Sequence, residues 1–237
     1  MKNRSFIFTA VVASLLCVSC AKPQTTLSEN ERPFNPPIMG WSSWNAFLVD
    51  ISEDIIKHQA DLMVEKGLKD AGYQYINVDD GYFGKRDENG VMQANEKRFP
   101  NGMKPVADHI HSLGMKAGLY TDAGTRTCGS LWNKDSIGIG AGIYGHEPQD
   151  AQLYFGDWGF DFIKIDYCGG EVLGLDEKER YTSIRNSIDK VNKNVSINIC
   201  RWAYPGTWAK DAATSWRISG DINAHWNSLK YVVGKNL

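Results

Sequence analysis

Asp161-Phe162-Ile163-Lys164-Ile165-Asp166-Tyr167-Cys168 is a short apolar run in which Lys164 and Asp166 are two positions apart. Alternate residues of a strand share one face, so a strand over Phe162 to Asp166 carries a lysine and an aspartate side by side, with the acid at its C-terminal end. The same design recurs outward in both directions. Candidate strands at Ile38 to Trp44, Tyr75 to Asp79, Lys116 to Thr121, Ser196 to Cys200 and Trp216 to Ser219 run into Asn45, Asp79-Asp80, Asp122, Arg201 and Asp221. Amphipathic stretches separate them at Ser52 to Lys66, Met103 to Leu113, Gln149 to Trp158 and Glu177 to Val191, with a partial one from Trp226. The first of these opens with a Ser52/Ile55 cap position and has Glu53 and Asp54 in its first turn, as a helix start should. Short β-branched or aromatic runs alternating with longer amphipathic ones predict βα units.

Two folds repeat that unit, an open doubly wound sheet and a closed eight-stranded barrel. The first strand is not followed by the Gly-rich phosphate turn of a dinucleotide-binding sheet. Barrel enzymes build their sites at the C-terminal ends of the strands, where the polar and acidic residues of this chain gather. The expected class is therefore α/β, a TIM (β/α)8-type barrel, incomplete because about six βα units precede Leu237.

With 42% hydrophobic and 23% charged residues in 237, the chain has the composition of a soluble globular protein with one sizeable core. A net charge of -2 with both signs mixed along the chain gives no electrostatic reason for a nucleic-acid partner. Eight Trp, ten Tyr and nine Phe are many for this length, and they suit either core packing or the flat C–H faces of sugars.

The first twenty residues stand apart. Lys2 and Arg4 precede an apolar run from Phe6 to Val18, too short to span a bilayer and readable as an export signal. It ends in Leu16-Cys17-Val18-Ser19-Cys20, which is similar to a bacterial lipobox with Cys20 as the acylated residue. Residues 1–20 are thus expected to be a lipoprotein signal, 21–36 a tether, and 37–237 the catalytic barrel. A periplasmic or outer-membrane protein follows, touching the membrane only through its lipid. Export leaves Cys128, Cys168 and Cys200 where one disulfide is permitted.

Carboxylates dominate the strand ends, while histidines are few and show no metal-ligand spacing, so neither a metal nor a cofactor is expected. No GxSxG elbow favours acyl transfer. Paired carboxylates without a metal point to glycosidic bond cleavage, in which one attacks or activates water and the other protonates the leaving oxygen.

Specific segments sharpen this reading. Met39-Gly40-Trp41-Ser42-Ser43-Trp44-Asn45, Asp79-Asp80-Gly81-Tyr82, Gly118-Leu119-Tyr120-Thr121-Asp122-Ala123-Gly124, Gly145-His146-Glu147-Pro148-Gln149-Asp150-Ala151 and Trp216-Arg217-Ile218-Ser219-Gly220-Asp221-Ile222 occur in that order around the strand first quoted. Together they resemble glycoside hydrolase family 27, the melibiase family of α-galactosidases and α-N-acetylgalactosaminidases. The resemblance covers Pro37 to Leu237. It implies a retaining hydrolase that releases terminal α-linked galactose from oligosaccharides or glycans by double displacement, with Asp166 as nucleophile and Asp221 as acid/base. Retention asks for the two carboxyl groups about 5–5.5 Å apart. By the same resemblance Asp79 and Asp80 accept hydroxyls of the terminal sugar, Trp44 and Tyr120 shape its pocket, and Cys200 lies near it. Lys164 favours the ionised nucleophile, Arg217 helps to hold the hydroxyls, and Cys128 pairs with Cys168.

Two departures qualify what the resemblance implies. Family members commonly carry Glu-Trp after the equivalent of Cys200, and the residue there helps to read the second carbon of the sugar. Here the pair is Arg201-Trp202, a five-donor cation in place of an acceptor. The alternatives are therefore β-L-arabinopyranosidase or α-N-acetylgalactosaminidase activity. The family also implies two further βα units and a C-terminal β-sandwich, so the expected chain is truncated at its C-terminus. A rival reading is a non-catalytic lipoprotein that at most binds sugar. Oligomeric state is left open.

Overall fold

The computed structural model describes residues 37–235. The signal segment, Cys20 and the tether lie outside the described residues. Among the described residues no helix is long and apolar enough to cross a membrane.

The sheet is built from β1 (Gly40–Ser42), β2 (Tyr75–Asn77), β5 (Lys116–Asp122), β6 (Phe162–Asp166), β7 (Ser196–Cys200) and β8 (Ser215–Trp216), all parallel and in the order β1-β2-β5-β6-β7-β8. Sequential neighbours pairing in one direction is the winding of a β/α barrel, here with six of its strands among the described residues. A separate antiparallel ribbon, β3 (Phe83–Arg86) with β4 (Met92–Ala94), stands beside it. The sequence reading did not anticipate this ribbon, although Asn89-Gly90 at its turn, with Gly90 at φ +78°, is the hairpin signal.

Register explains which side chains meet. Ser42, Asn77, Gly118, Phe162 and Ser196 stand in one row across the sheet. Two residues further along, Tyr120, Lys164, Asn198 and Ser215 form the next row, and Asp122, Asp166 and Cys200 the third. The intervening residues Ile76, Leu119, Ile163, Ile165, Ile197 and Ile199 point the other way and are fully buried against helices. These helices are the amphipathic ones: α2 (Glu53–Glu65), α3 (Lys104–Ser112) and α7 (Glu177–Val191). Ser52 caps α2 by accepting the Ile55 N–H at 3.3 Å, and Asp176 caps α7 by accepting the Glu179 N–H at 2.8 Å. Tyr181, Ile184 and Ile188 form the buried stripe of α7, at spacings of three and four.

Some boundaries differ from expectation. Trp44 leaves the strand and begins a short helix, α1 (Trp44–Phe47). The helix expected over Gln149 to Trp158 starts at Glu147 as α5 (Glu147–Ala151) and widens into a π-type turn over Gln152–Asp157. Three further helices of four or five residues, α4 (Cys128–Trp132), α6 (Cys168–Val172) and α8 (Ala209–Ala212), are too short to leave a periodic pattern. The final helix, α9, spans Trp226–Gly234.

One buried ion pair fastens the ribbon to the barrel. The Arg86 guanidinium donates to both carboxylate oxygens of Asp150 at 2.7 and 2.6 Å, and to the carbonyls of Gly90, Gly140 and Gly142. Burial pushes the Asp150 carboxyl up, and Arg86 opposes that rise. Arg86→Ala would strand a fully buried carboxylate, so it is expected to lower the unfolding free energy by about 3–5 kcal/mol. A urea titration showing a loss below about 1 kcal/mol would contradict that role.

Candidate active site

A cavity of about 590 Å³ opens at the C-terminal ends of the strands. Its floor comes from the register just described, which aligns Tyr120 with Lys164 and places Asp166 one pleat further out. Asp79 and Asp80 follow β2 and enter the same cavity, together with Trp44, Cys200, Arg217 and Asp221.

Lys164 organises the buried end. Its ammonium donates to Asp79 Oδ1 and Oδ2 at 3.1 and 2.9 Å, lies 3.8 Å from Asp166 Oδ2, and faces the rings of Tyr120 and Trp44 at 5.1 and 5.9 Å. Burial alone would drive off its proton, but Asp79 and then Asp166 more than reverse this, so Lys164 stays charged. Ser42 Oγ donates to the Asp79 carboxylate at 3.2 Å, and the Asp79 backbone N–H donates to Ser43 Oγ at 3.0 Å, so the two serines hold the side chain and the main chain respectively.

Asp166 is 5% exposed. Burial pushes its carboxyl up from the usual carboxylate range, with the Lys164 charge as the main opposing influence. Its Oδ1 has no hydrogen-bond partner among the described residues. A buried carboxylate oxygen left unpartnered is costly, and the Asp166 side chain lines the cavity. Cys200, a buried free thiol level with Asp166 in the register, receives the Arg217 guanidinium at 3.4 Å. The same Nη1 donates to Asp221 Oδ1 at 2.6 Å, and the Asp221 side chain is 71% exposed at the mouth. The cavity thus contrasts a buried carboxylate with an open one.

Asp80 accepts the N–H of its neighbour Gly81 and that of Gly129 in α4, at 2.8 Å each; burial pushes its carboxyl up to about 7 despite these donors. Asp122, one of the strand-end acids, does not line the cavity. It accepts N–H groups of Gly124, Gly169 and Gly170 at 2.7 to 3.2 Å and so anchors the start of α6. Gly124 permits this, because a Cβ there would sit 2.1 Å from the Gly169 carbonyl carbon. Cys128 and Cys168 form a disulfide across a separation of 40 residues. Asp122 lies close to both sulfurs, but bonded to each other they are not thiolate ligands.

Arg201 stands apart from the other predicted binding residues. It is not among those lining the cavity; it pairs with Glu177 at 2.6 Å and Glu171 at 3.3 Å and lies over the Tyr167 and Trp202 rings. Two of its five N–H donors are thus engaged by protein carboxylates. Conversely, Leu131, Trp132, Asn133, Glu171, Val172 and Trp202 line the cavity without having been singled out as binding residues. Most of them lie on or beside the two short helices α4 and α6, whose five residues each leave no periodic signal in the sequence.

Relatives are found for the chain as a whole. Alpha-galactosidase A of Cellvibrio japonicus is 39% identical over 229 residues, 96% of this chain and 53% of that protein. Alpha-galactosidase of Cyamopsis tetragonoloba is 42% identical over 206 residues, 86% of this chain and 47% of that one. Among solved structures, alpha-galactosidase I from Mortierella vinacea matches with a TM-score of 0.71 at 34% identity, covering 83% of this chain and 48% of its own. The Saccharomyces cerevisiae enzyme solved with raffinose gives 0.70 at 35%, covering 80% and 41%. The chain spans about half the length of the curated relatives it matches. The profile described as Alpha galactosidase A extends over residues 36–236, through every strand of the sheet and all four cavity aspartates, and the chain belongs to that melibiase family.

Proposed function

We propose that the protein is a retaining glycoside hydrolase releasing terminal α-linked galactose from oligosaccharides or glycans. The observation that carries this reading is one cavity with a buried, partly unpartnered carboxylate, Asp166, and an exposed one, Asp221, at its mouth. An Asp166 oxygen attacks the anomeric carbon as the glycosidic C–O bond breaks, and Asp221 gives its proton to the leaving oxygen. Water then attacks the glycosyl ester, Asp221 takes back a proton, and galactose leaves with Asp166 restored. Lys164 supports the first half by favouring the ionised nucleophile, and Asp79 with Asp80 supplies acceptors for the sugar hydroxyls. Family membership supports galactose as the sugar, and the engagement of Arg201 with Glu171 and Glu177 removes one argument for a different one. The Cys128–Cys168 bridge suits an exported, oxidising setting.

The test is hydrolysis of an aryl α-galactoside followed by NMR. The expected first product is α-galactose. First appearance of the β anomer would overturn double displacement, and no cleavage of any galactosyl or arabinopyranosyl glycoside would overturn the hydrolytic reading.

A further inference from the structure

The cavity has two ends of opposite character. The inner end is polar and enclosed: Asp79, Asp80, Tyr120 and Asp166 are all buried. The outer end carries Trp132, 77% exposed, and Val172, 58% exposed, with the half-buried Leu131 and Trp202 nearby. Gathered on the rim of one cavity, these side chains form an exposed apolar patch of the kind that lines ligand grooves.

Their placement is built into the chain. The disulfide joins Cys128, first residue of α4, to Cys168, first residue of α6. Each helix ends four residues later, in Trp132 and in Val172, and both side chains reach the cavity. Two helices tied at their roots therefore present apolar tips at a fixed position. Polar groups flank the tips: Asn133, and Glu171, whose carboxylate is held by Arg201 at 3.3 Å while that guanidinium lies over Trp202. An aromatic face with acceptors and donors at its margin is suited to a sugar ring, which offers a C–H face and a rim of hydroxyls.

We propose that Trp132, with Val172 and Trp202, forms a leaving-group subsite that stacks the second ring of a galactosyl oligosaccharide, and that Arg201 acts as a positioning residue for Glu171 and Trp202. This rests on the hydrolytic reading above and adds the part of the substrate that the buried end does not touch. A site of about 590 Å³ is in the range of roughly 300–1,000 Å³ typical of pockets that enclose a whole small ligand.

The experiment compares two substrates, with an octyl galactoside as a third for control, in the unsubstituted protein and in Trp132→Ala. One is α-galactosyl fluoride, whose leaving group is too small to reach Trp132; the other is an α-1,6-linked galactosyl-glucose disaccharide. The loss of kcat/KM is expected to be about tenfold greater for the disaccharide than for the fluoride, and Trp132→Phe should recover most of it. Arg201→Met should reproduce part of the disaccharide effect through KM. Equal losses on both substrates, or no loss on either, would overturn the subsite. A larger loss for an octyl galactoside than for the disaccharide would assign the platform to an apolar chain and overturn the sugar assignment. If the unsubstituted protein cleaves neither substrate, the hydrolytic reading fails by itself, and calorimetric binding then judges the subsite. In that case the disaccharide should bind about tenfold more tightly than galactose, with the preference lost in Trp132→Ala; equal affinities in the unsubstituted protein would overturn it.

Discussion

Asp166→Asn is expected to lower kcat by at least about 10⁴-fold on an aryl α-galactoside while leaving the fold intact. The amide is nearly isosteric with the carboxylate but cannot attack the anomeric carbon, so no glycosyl ester forms. Stability should hold or rise. Asp166 is buried, its Oδ1 lacks a partner, and Lys164 keeps Asp79 at 2.9 Å as its counter-ion when Asp166 is neutralised. Removing an incompletely compensated buried charge relieves a desolvation cost, the usual sense of a stability–activity trade-off. Thermal melting and activity are therefore predicted to move independently. Residual activity within tenfold of the unsubstituted protein would place the nucleophile elsewhere. Asp166→Gly offers a sharper check, because azide can enter the vacated space and attack from the same side. The product expected from an activated α-galactoside is β-galactosyl azide.

The local part of this site was legible in the sequence because its cause is local. On β6 the period of two puts Lys164 and Asp166 on one face, and the register brings Tyr120 and Cys200 to their sides. The α7 boundaries, Glu177–Val191, agree with the sequence reading because an acid cap and a clean apolar stripe enclose them. What the pattern hid depends on partners far along the chain. Asp122 looks like every other strand-end acid until Gly169 and Gly170, 47 and 48 residues later, bring their amides to it. Arg201 looks like a substrate contact until Glu171 and Glu177 occupy it. Trp132 sits on a helix of five residues, too short to declare its facing, and only the folded structure places it at the cavity. Arg86 and Asp150 are 64 residues apart, and nothing in either neighbourhood announces that they meet.

Lys164→Met tests whether the buried cation sets the state of the nucleophile. Lys164 is the only Lys or Arg side chain bonded to Asp79 among the described residues and the main influence holding the Asp166 carboxyl down against burial. Methionine keeps much of the length and apolar volume of the stem, so the change mostly deletes charge. Activity at the optimum is expected to fall by about 10²–10³-fold, the range for losing one preorganised electrostatic group. The pH dependence carries the diagnostic sign. In the proposed mechanism Asp166 attacks only when ionised, and without Lys164 its folded-state pKa rises further, so the acid limb of kcat/KM should move to higher pH. Stability follows the same linkage. A carboxyl with a raised folded pKa stabilises the fold below its unfolded value, near pH 4, and that contribution is lost as pH rises through the folded pKa. In Lys164→Met the loss should extend to higher pH than in the unsubstituted protein, so the melting temperatures of the two should diverge between acid and neutral conditions. Parallel profiles, in activity and in melting, would show that Lys164 serves only to hold Asp79, with Asp166 tuned by burial and its other neighbours.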